Sequence, residues 1–260
     1  MKRCSAETPA SANGRAEWGA VAPAPCRIAR VHSVQSMGTL DGPGVRYVLF
    51  LQGCPLRCVF CHNPDTWAFD AGTETDAASV FADLLRYRAY FGRKGGVTLS
   101  GGEPLAQADF AAELFGLCRE AGIHTALDTS GCLWNDAAAA LLEVTDLCLL
   151  DIKMTTERDY RAHVGCGLSA PLRFLGELDR RGVHTWIRCV VVEGINATAE
   201  DMRRLAGLTA SYRCVEKIEL LPFKKLCAEK YRRLDIPFFC EDVPETAEDT
   251  LGALRAELDG

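Results

Sequence analysis

Cys54, Cys58 and Cys61 fall close together in the run Cys-Pro-Leu-Arg-Cys-Val-Phe-Cys-His. Three thiolates on one short loop can wrap a compact inorganic cluster. Four would close a [4Fe–4S] centre, so three leave one iron without a protein ligand and open to a substrate or cofactor. A structural zinc site is the competing reading, with Cys58-x-x-Cys61 supplying two ligands and two more coming from elsewhere. The trio alone leaves both open.

The other residues able to do chemistry stand at the ends of apolar runs. Val97-Thr-Leu-Ser100 leads into Gly101-Gly102-Glu103-Pro104. Paired glycines let backbone approach a ligand closely, and Glu103 offers a counter-charge for an ammonium group. No Gly-Lys-Ser/Thr follows, so this is not a phosphate-binding P-loop. Ile123–Leu127 ends in Asp128-Thr129-Ser130-Gly131, and Leu147–Leu150 ends in Asp151-Ile152-Lys153. Asp151 and Lys153, two apart on a strand, project to one face. Once buried they need each other, a cation or a ligand. Asp128 and Asp151 carry hard oxygen donors that could hold a cation if carbonyls completed the shell. Arg188, inside the apolar run Val183–Val192, calls for an anionic partner, either a carboxylate ligand or another side chain. His62 is the one histidine beside the cysteine loop, where it could hydrogen-bond near a cluster or shape the turn. Neither a Gly-x-Ser-x-Gly elbow nor a His-Glu-x-x-His helix occurs, so hydrolase readings lack a nucleophile or a metal.

These residues need a scaffold that gathers strand ends. Strand-like runs occur at Val45–Leu51, Gly96–Leu99, Ile123–Asp128, Leu147–Ile152, Val183–Val192 and Lys217–Leu221. Helical stretches lie between them at roughly Asp76–Phe91, Gln107–Ala121, Asn135–Glu143, Ser169–Arg181 and Thr198–Leu208. The strands read as near-continuous apolar runs, as in a parallel sheet covered on both faces. Such alternation predicts an α/β domain, and a doubly wound sheet and a complete or incomplete βα barrel both fit. In either, reactive side chains collect at the C-terminal ends of the strands. Residues 1–26, rich in Ala, Pro, Ser and Gly, read as a flexible leader, and 27–260 as a single domain. The tail after Pro222 has no clear period.

Composition narrows the class. The 260 residues are 48% hydrophobic and 25% charged, which is ordinary for a globular chain. A net charge of −6 argues against nonspecific nucleic-acid binding. No run is long enough to span a bilayer and no secretory signal is evident, so no membrane association is expected. Thirteen cysteines in such a chain imply a reducing, cytoplasmic setting. The ten outside the trio read mostly as small hydrophobes.

Taken jointly, the cysteine loop, Gly-Gly-Glu-Pro and the acidic strand ends resemble the radical S-adenosylmethionine superfamily. The resemblance runs from about Arg27 to Pro244. Within it the chain is most similar to activases of glycyl radical enzymes, in the pyruvate formate-lyase branch. The residues that carry this are Gly38-Thr-Leu-Asp-Gly-Pro-Gly44, Gln52-Gly-Cys54, Cys61-His-Asn63, Thr98–Glu103, Leu127-Asp-Thr129, Leu150–Lys153, Trp186-Ile-Arg188 and Ile218–Pro222. The resemblance implies a partial (βα)6 barrel and a [4Fe–4S] cluster on Cys54, Cys58 and Cys61. It also implies cleavage of S-adenosylmethionine to methionine and a 5′-deoxyadenosyl radical, which takes a hydrogen atom from a glycine of the partner. Gly101, Gly102 and Glu103 would meet the cofactor's amino group, and Lys153 and Arg188 would line its site. Asp128, Thr129 and Asp151 would hold a monovalent cation. The implied partners are pyruvate formate-lyase or a related glycyl radical enzyme, and an electron donor such as flavodoxin or ferredoxin, with the chain itself a monomer. A different glycyl radical enzyme, or a small-molecule substrate, is the alternative. The segment from Cys61 to Gly101 contains no further cysteine, which fits the pyruvate formate-lyase branch rather than activases with extra clusters. Where well-known members place a histidine after Leu-Leu-Pro, this chain has Lys224.

Overall fold

The computed structural model describes residues 27–259. The leader expected at 1–26, with Cys4 and Cys26, lies outside the described residues. In chain order the strands are β1 (Ile28–Gly38), β2 (Arg46–Leu51), β3 (Thr73–Asp76), β4 (Gly96–Gly101), β5 (His124–Thr129), β6 (Leu147–Asp151), β7 (His184–Val191) and β8 (Val215–Pro222). The helices are α1 (Ala77–Leu85), α2 (Arg88–Phe91), α3 (Ala108–Glu120), α4 (Asp136–Leu142), α5 (Glu157–His163), α6 (Ser169–Arg181), α7 (Ala199–Thr209), α8 (Ala228–Leu234) and α9 (Glu248–Asp259). None is long and apolar enough to cross a membrane.

One sheet holds every described strand, in the order β3-β1-β2-β4-β5-β6-β7-β8. The six strands from β2 to β8 in that order are parallel and match the six expected runs. The sheet does not close: β8 is one edge and β3 the other. This is the partial barrel the resemblance implied, with an addition. Strands β1 and β3 extend it antiparallel to β2. Their sequences hide them, because β3 is Thr-Glu-Thr-Asp and β1 buries only Ala29, Val31 and Gly38. The stretch expected as one helix over Asp76–Phe91 is two, α1 and α2, and Tyr87 between them turns onto Tyr47 at 5.8 Å. Asp76, Asn135, Thr156 and Thr198 cap α1, α4, α5 and α7 by accepting a backbone N–H.

The register sorts side chains by face. Leu49, Leu51, Val97, Leu99, Leu127, Cys148, Leu150, Ile187 and Cys189 point to one side and form the main core with helical residues such as Leu84, Leu114, Phe174, Leu205 and Leu251. The opposite face departs from the expected apolar run. Phe50 pairs with Ser100, Asp128 with Leu149, Trp186 with Lys217, Asp151 with Arg188, and Arg188 with Glu219. Each strand therefore delivers one apolar face to the helices and one chemically loaded face to the interior of the open sheet.

Candidate active site

The cysteine loop is held in place by its backbone. Gly53, at φ +94°, turns the chain out of β2, and its N–H donates to the Thr66 carbonyl at 2.8 Å. Gln52 Nε2 donates to the carbonyls of Asp65 and Ala68, closing the base of the loop. Arg57 donates to the carbonyls of Cys54 and Leu56 while lying over the Trp67 ring at 4.8 Å. From the other side, Arg57 N–H and Val59 N–H reach the carbonyls of Val164 and His163 at the end of α5. The loop is thus fixed by both flanks before any ligand binds.

Every site residue expected from sequence lines one cavity of about 220 Å³ at the C-terminal ends of the parallel strands. Cys54, Cys58 and Cys61 form one wall, Gly101, Gly102 and Glu103 another, and Asp128, Thr129, Asp151, Lys153 and Arg188 the rest. A larger cavity, about 880 Å³, opens at the opposite strand ends beside His124, Asp146 and His184. It touches none of these residues, so size is not the guide to the chemistry. Sequence reasoning missed Asp41, Phe60 and Ser130, which also line the smaller cavity. Asp41 was visible as a signal only through the Gly38–Gly44 motif.

The three thiols are free, and they are buried or half-buried. Burial pushes Cys54 and Cys58 up to about 12 and raises Cys61 as well, so each becomes a thiolate only when a cation compensates it. Among the described residues, no three His, Cys, Asp or Glu side chains are placed around a single metal ion. The three thiols share one cavity with the strand-end residues, the arrangement that a cluster with one iron open to a ligand would use. His62 does not supply a fourth ligand: its Nε2 sits 2.9 Å from the Lys224 carbonyl and its ring stacks on Phe223 at 6.2 Å. It holds the loop to the chain after β8, a long-range tether rather than a bond within its own turn. Lys224 turns its own side chain to Glu245, 3.4 Å away, and does not line the cavity.

The glycine pair has a reason other than the one read from sequence. A Cβ on Gly102 would lie 2.3 Å from the Gly53 carbonyl oxygen, and one on Gly101 2.5 Å from the Leu51 nitrogen. Gly102 N–H donates to Leu51 and Glu103 N–H to Gly53, at 2.8 and 2.9 Å. The close approach is to the base of the cysteine loop. Replacing Gly102 with Ala is expected to cost more than about 2 kcal/mol, because backbone must move on both sides. A urea midpoint equal to that of the unaltered protein would contradict this.

Glu103 also differs from expectation. It is 1% exposed, and its carboxylate accepts from Leu105 N–H (3.1 Å), Thr129 Oγ1 (2.5 Å), Ser130 N–H (3.0 Å) and Ser130 Oγ. Its oxygens are thus committed to the end of β5. The oxygens read as a cation site are similarly engaged: Asp128 accepts from Ser100 Oγ at 2.7 Å, Thr129 Oγ1 donates to Glu103, and Asp151 meets Lys153 Nζ at 2.5 Å. They line one cavity but each faces a protein partner.

Charge in the cavity is unevenly satisfied. Burial would pull Lys153 down, yet the Asp151 carboxylate beside it holds it well above its ordinary value, so it is a cation. Burial likewise opposes the Arg188 charge, and Asp128, Asp151, Asp41 and Glu219 outweigh it. Burial raises Asp128, against the pull of Arg188. Arg188 Nη1 is 3.6 Å from Asp128 and its Nε 3.9 Å from Glu219, both beyond hydrogen-bonding reach. Its Nε is the one buried side-chain N or O among the described residues without a partner. Arg188 also lines the cavity, where a buried guanidinium is the complement of an anionic group such as a carboxylate.

Comparisons with known proteins agree with this geometry. Residues 48–206 match the Radical SAM superfamily. A pyruvate formate-lyase-activating enzyme of Clostridium pasteurianum is 44% identical over 83% of this chain and 91% of its own length. Pyruvate formate-lyase 1-activating enzyme of Escherichia coli K12 is 37% identical over 89% and 96%. Among solved structures, a domain of pyruvate-formate lyase-activating enzyme from Bacteroides vulgatus superposes with a TM-score of 0.53 at 23% identity, over 64% of this chain and 93% of that one. Streptococcus suis SuiB bound to S-adenosylmethionine does so with 0.57 at 16% identity, over 70% and 43%. At those identities the structures speak for the fold. The thiol trio, the strand-end residues and the sequence relatives together place the chain in the radical SAM superfamily, among the pyruvate formate-lyase-activating enzymes.

Proposed function

We propose that this chain activates pyruvate formate-lyase by removing a hydrogen atom from a backbone glycine of that protein, leaving a stored radical. The cluster and S-adenosylmethionine supply one chemistry when bound: one-electron cleavage of the sulfonium to methionine and a 5′-deoxyadenosyl radical. The chain's own residues do the rest. Cys54, Cys58 and Cys61 would hold the cluster and would give up their protons on binding it. Lys153 and Arg188 bind and orient the cofactor carboxylate, and Asp151 keeps Lys153 charged. The carbonyls beside Gly101 and Gly102 meet the amino group, since the Glu103 oxygens are already taken. Asp128, Thr129 and Asp151 could take part in holding a cation only after their present partners yield. Phe50, Val190 and Leu221 line the cavity and limit water near a reactive carbon radical. The protein acts as a monomer in the cytoplasm, where its thiols stay reduced, and takes its electron from a carrier protein.

The observation that carries this reading is that eleven residues, chosen from separate strand ends and the cysteine loop, line one cavity, among them an arginine with an unpartnered donor. The test is anaerobic incubation of the iron–sulfur-reconstituted protein with dithionite, S-adenosylmethionine and pyruvate formate-lyase. A glycyl radical signal on the partner by electron paramagnetic resonance is expected. 5′-Deoxyadenosine formed without that signal would overturn the choice of substrate.

A further inference from the structure

Lys153 stands one step beyond the sheet. The pairing of β6 with β7 ends at Asp151 opposite Arg188, with one more bond from the Ile152 N–H to the Arg188 carbonyl at 3.0 Å. The Lys153 peptide is gripped by two buried side chains. Its N–H donates to the Tyr160 hydroxyl at 3.3 Å, and that hydroxyl donates in turn to the Asp151 carbonyl at 3.4 Å. Its carbonyl accepts from Asn196 Nδ2 at 3.1 Å. Tyr160 is 1% exposed and Asn196 2%. Neither lines the cavity, so any part they take in the reaction passes through Lys153.

Each of the two ties Lys153 to another wall of the site. Tyr160 belongs to α5. One turn later the His163 and Val164 carbonyls accept from the Val59 and Arg57 N–H groups of the cysteine loop, at 3.0 and 3.2 Å. A single short helix therefore holds both the Lys153 peptide and the loop of Cys54, Cys58 and Cys61. Asn196 makes the matching link to β7. Its Nδ2 also donates to the Val190 carbonyl at 2.9 Å and lies 3.8 Å from Cys189 Sγ, while its Oδ1 accepts from the Val192 N–H at 2.7 Å. Val190 lines the cavity, as Arg188 does.

We infer that Tyr160 and Asn196 are positioning residues, which fix the Lys153 ammonium between the cysteine loop and Arg188 so that both cations meet one carboxylate of the cofactor. This deepens the function proposed above and rests on it. A lysine carries its charge on a long flexible stem, so the ammonium has a defined place only if both ends are restrained. Asp151 restrains Nζ at 2.5 Å, and the two buried groups restrain the peptide. The ammonium is then presented without the ordering cost that a free lysine pays on binding. Satisfying a buried peptide alone would not call for partners drawn from the two elements that hold the cysteine loop and Arg188.

The test measures S-adenosylmethionine binding by anaerobic calorimetry to iron–sulfur-reconstituted protein without reductant, so that no cleavage occurs. Tyr160→Phe removes one hydroxyl and keeps the ring in its packing, whereas Asn196→Ala removes the second grip and is the more destabilising. Tyr160→Phe is expected to keep wild-type iron content, and both variants to weaken binding about fivefold or more. With dithionite driving cleavage, KM should rise in step while kcat is little changed, as for an interaction made equally in the ground and transition states. Lys153→Met is expected to weaken binding further, and adding Tyr160→Phe to it should change nothing more. Should Asn196→Ala lose its iron, Tyr160→Phe and the double variant decide alone. Wild-type affinity in Tyr160→Phe would overturn the assignment, as would an undiminished effect of Tyr160→Phe in the Lys153→Met protein. A fall in kcat and iron content with affinity unchanged would also overturn it, being the mark of a purely structural role. Wild-type protein that neither binds nor cleaves S-adenosylmethionine would instead overturn the proposed function, and the positioning role with it.

Discussion

Replacing Cys58 with Ala is expected to remove the brown colour of the reconstituted protein and all detectable 5′-deoxyadenosine formation, while the chain stays folded. The argument turns on burial. Cys58 is 8% exposed, and its thiol is pushed up to about 12 by desolvation, with Lys153 pulling the other way. In the absence of iron it is a neutral small hydrophobe among Leu56, Phe60, Val164 and Leu168, so Ala leaves only a modest void. Once iron binds, the same sulfur would be a thiolate beside two others, and the methyl group of Ala in its place has no donor to offer. Cys148→Ala is the matched control. That cysteine is fully buried in the main core on the opposite side of β6 and should keep its iron and activity. Iron content and sulfide content per chain read the difference directly. Equal iron in Cys58→Ala and Cys148→Ala would refute the ligand assignment.

The contrast between these two cysteines also says what the sequence could and could not convey. The trio is legible because its spacing is local: the three cysteines sit on one loop, and loops are written contiguously. Asp151 and Lys153 are legible for a related reason, since strand geometry alone sends residues two apart to one face. Contacts made across the sheet are not written anywhere. Nothing in Gly101-Gly102 announces that the glycines are needed against Leu51 and Gly53, because that depends on β2 and β4 running parallel and in register. The edge strands β1 and β3 escaped for want of an apolar pattern, their sheet positions being fixed by backbone hydrogen bonds to neighbours. The tail after Pro222 lacks one continuous period because its two helices answer to different places: α8 to the cysteine loop through Tyr231 and Lys230, and α9 to the main core through Leu251 and Leu254. Local chemistry was readable, whereas the reasons for its placement lay in pairings between distant segments.

Glu103 offers the sharpest separation of a residue that braces the site from one that binds in it. Glu103→Gln is expected to destabilise the protein and to impair cofactor cleavage through that instability. Gln keeps the size and one acceptor oxygen but converts the other into an NH2 donor. On one side the carboxylate faces the Ser130 backbone N–H, and on the other the Leu105 backbone N–H. Neither can turn away, so either orientation of the amide sets donor against donor in a buried place. Ser130 and Thr129 hydroxyls can rotate and recover part of the loss. An unsatisfied buried donor costs about 1–3 kcal/mol, which for a chain of this size lowers the melting temperature by roughly 2–12 °C. Because the same bonds tie the segment Glu103–Leu105 to the end of β5, the cavity wall moves with them, and 5′-deoxyadenosine formation should fall in step with stability. Melting of the anaerobic protein, scanned beside cofactor cleavage at a temperature well below the transition, separates the two roles. A melting temperature unchanged from wild type with cleavage abolished would put the Glu103 carboxylate on the cofactor's ammonium group, and its four protein donors would then be spectators.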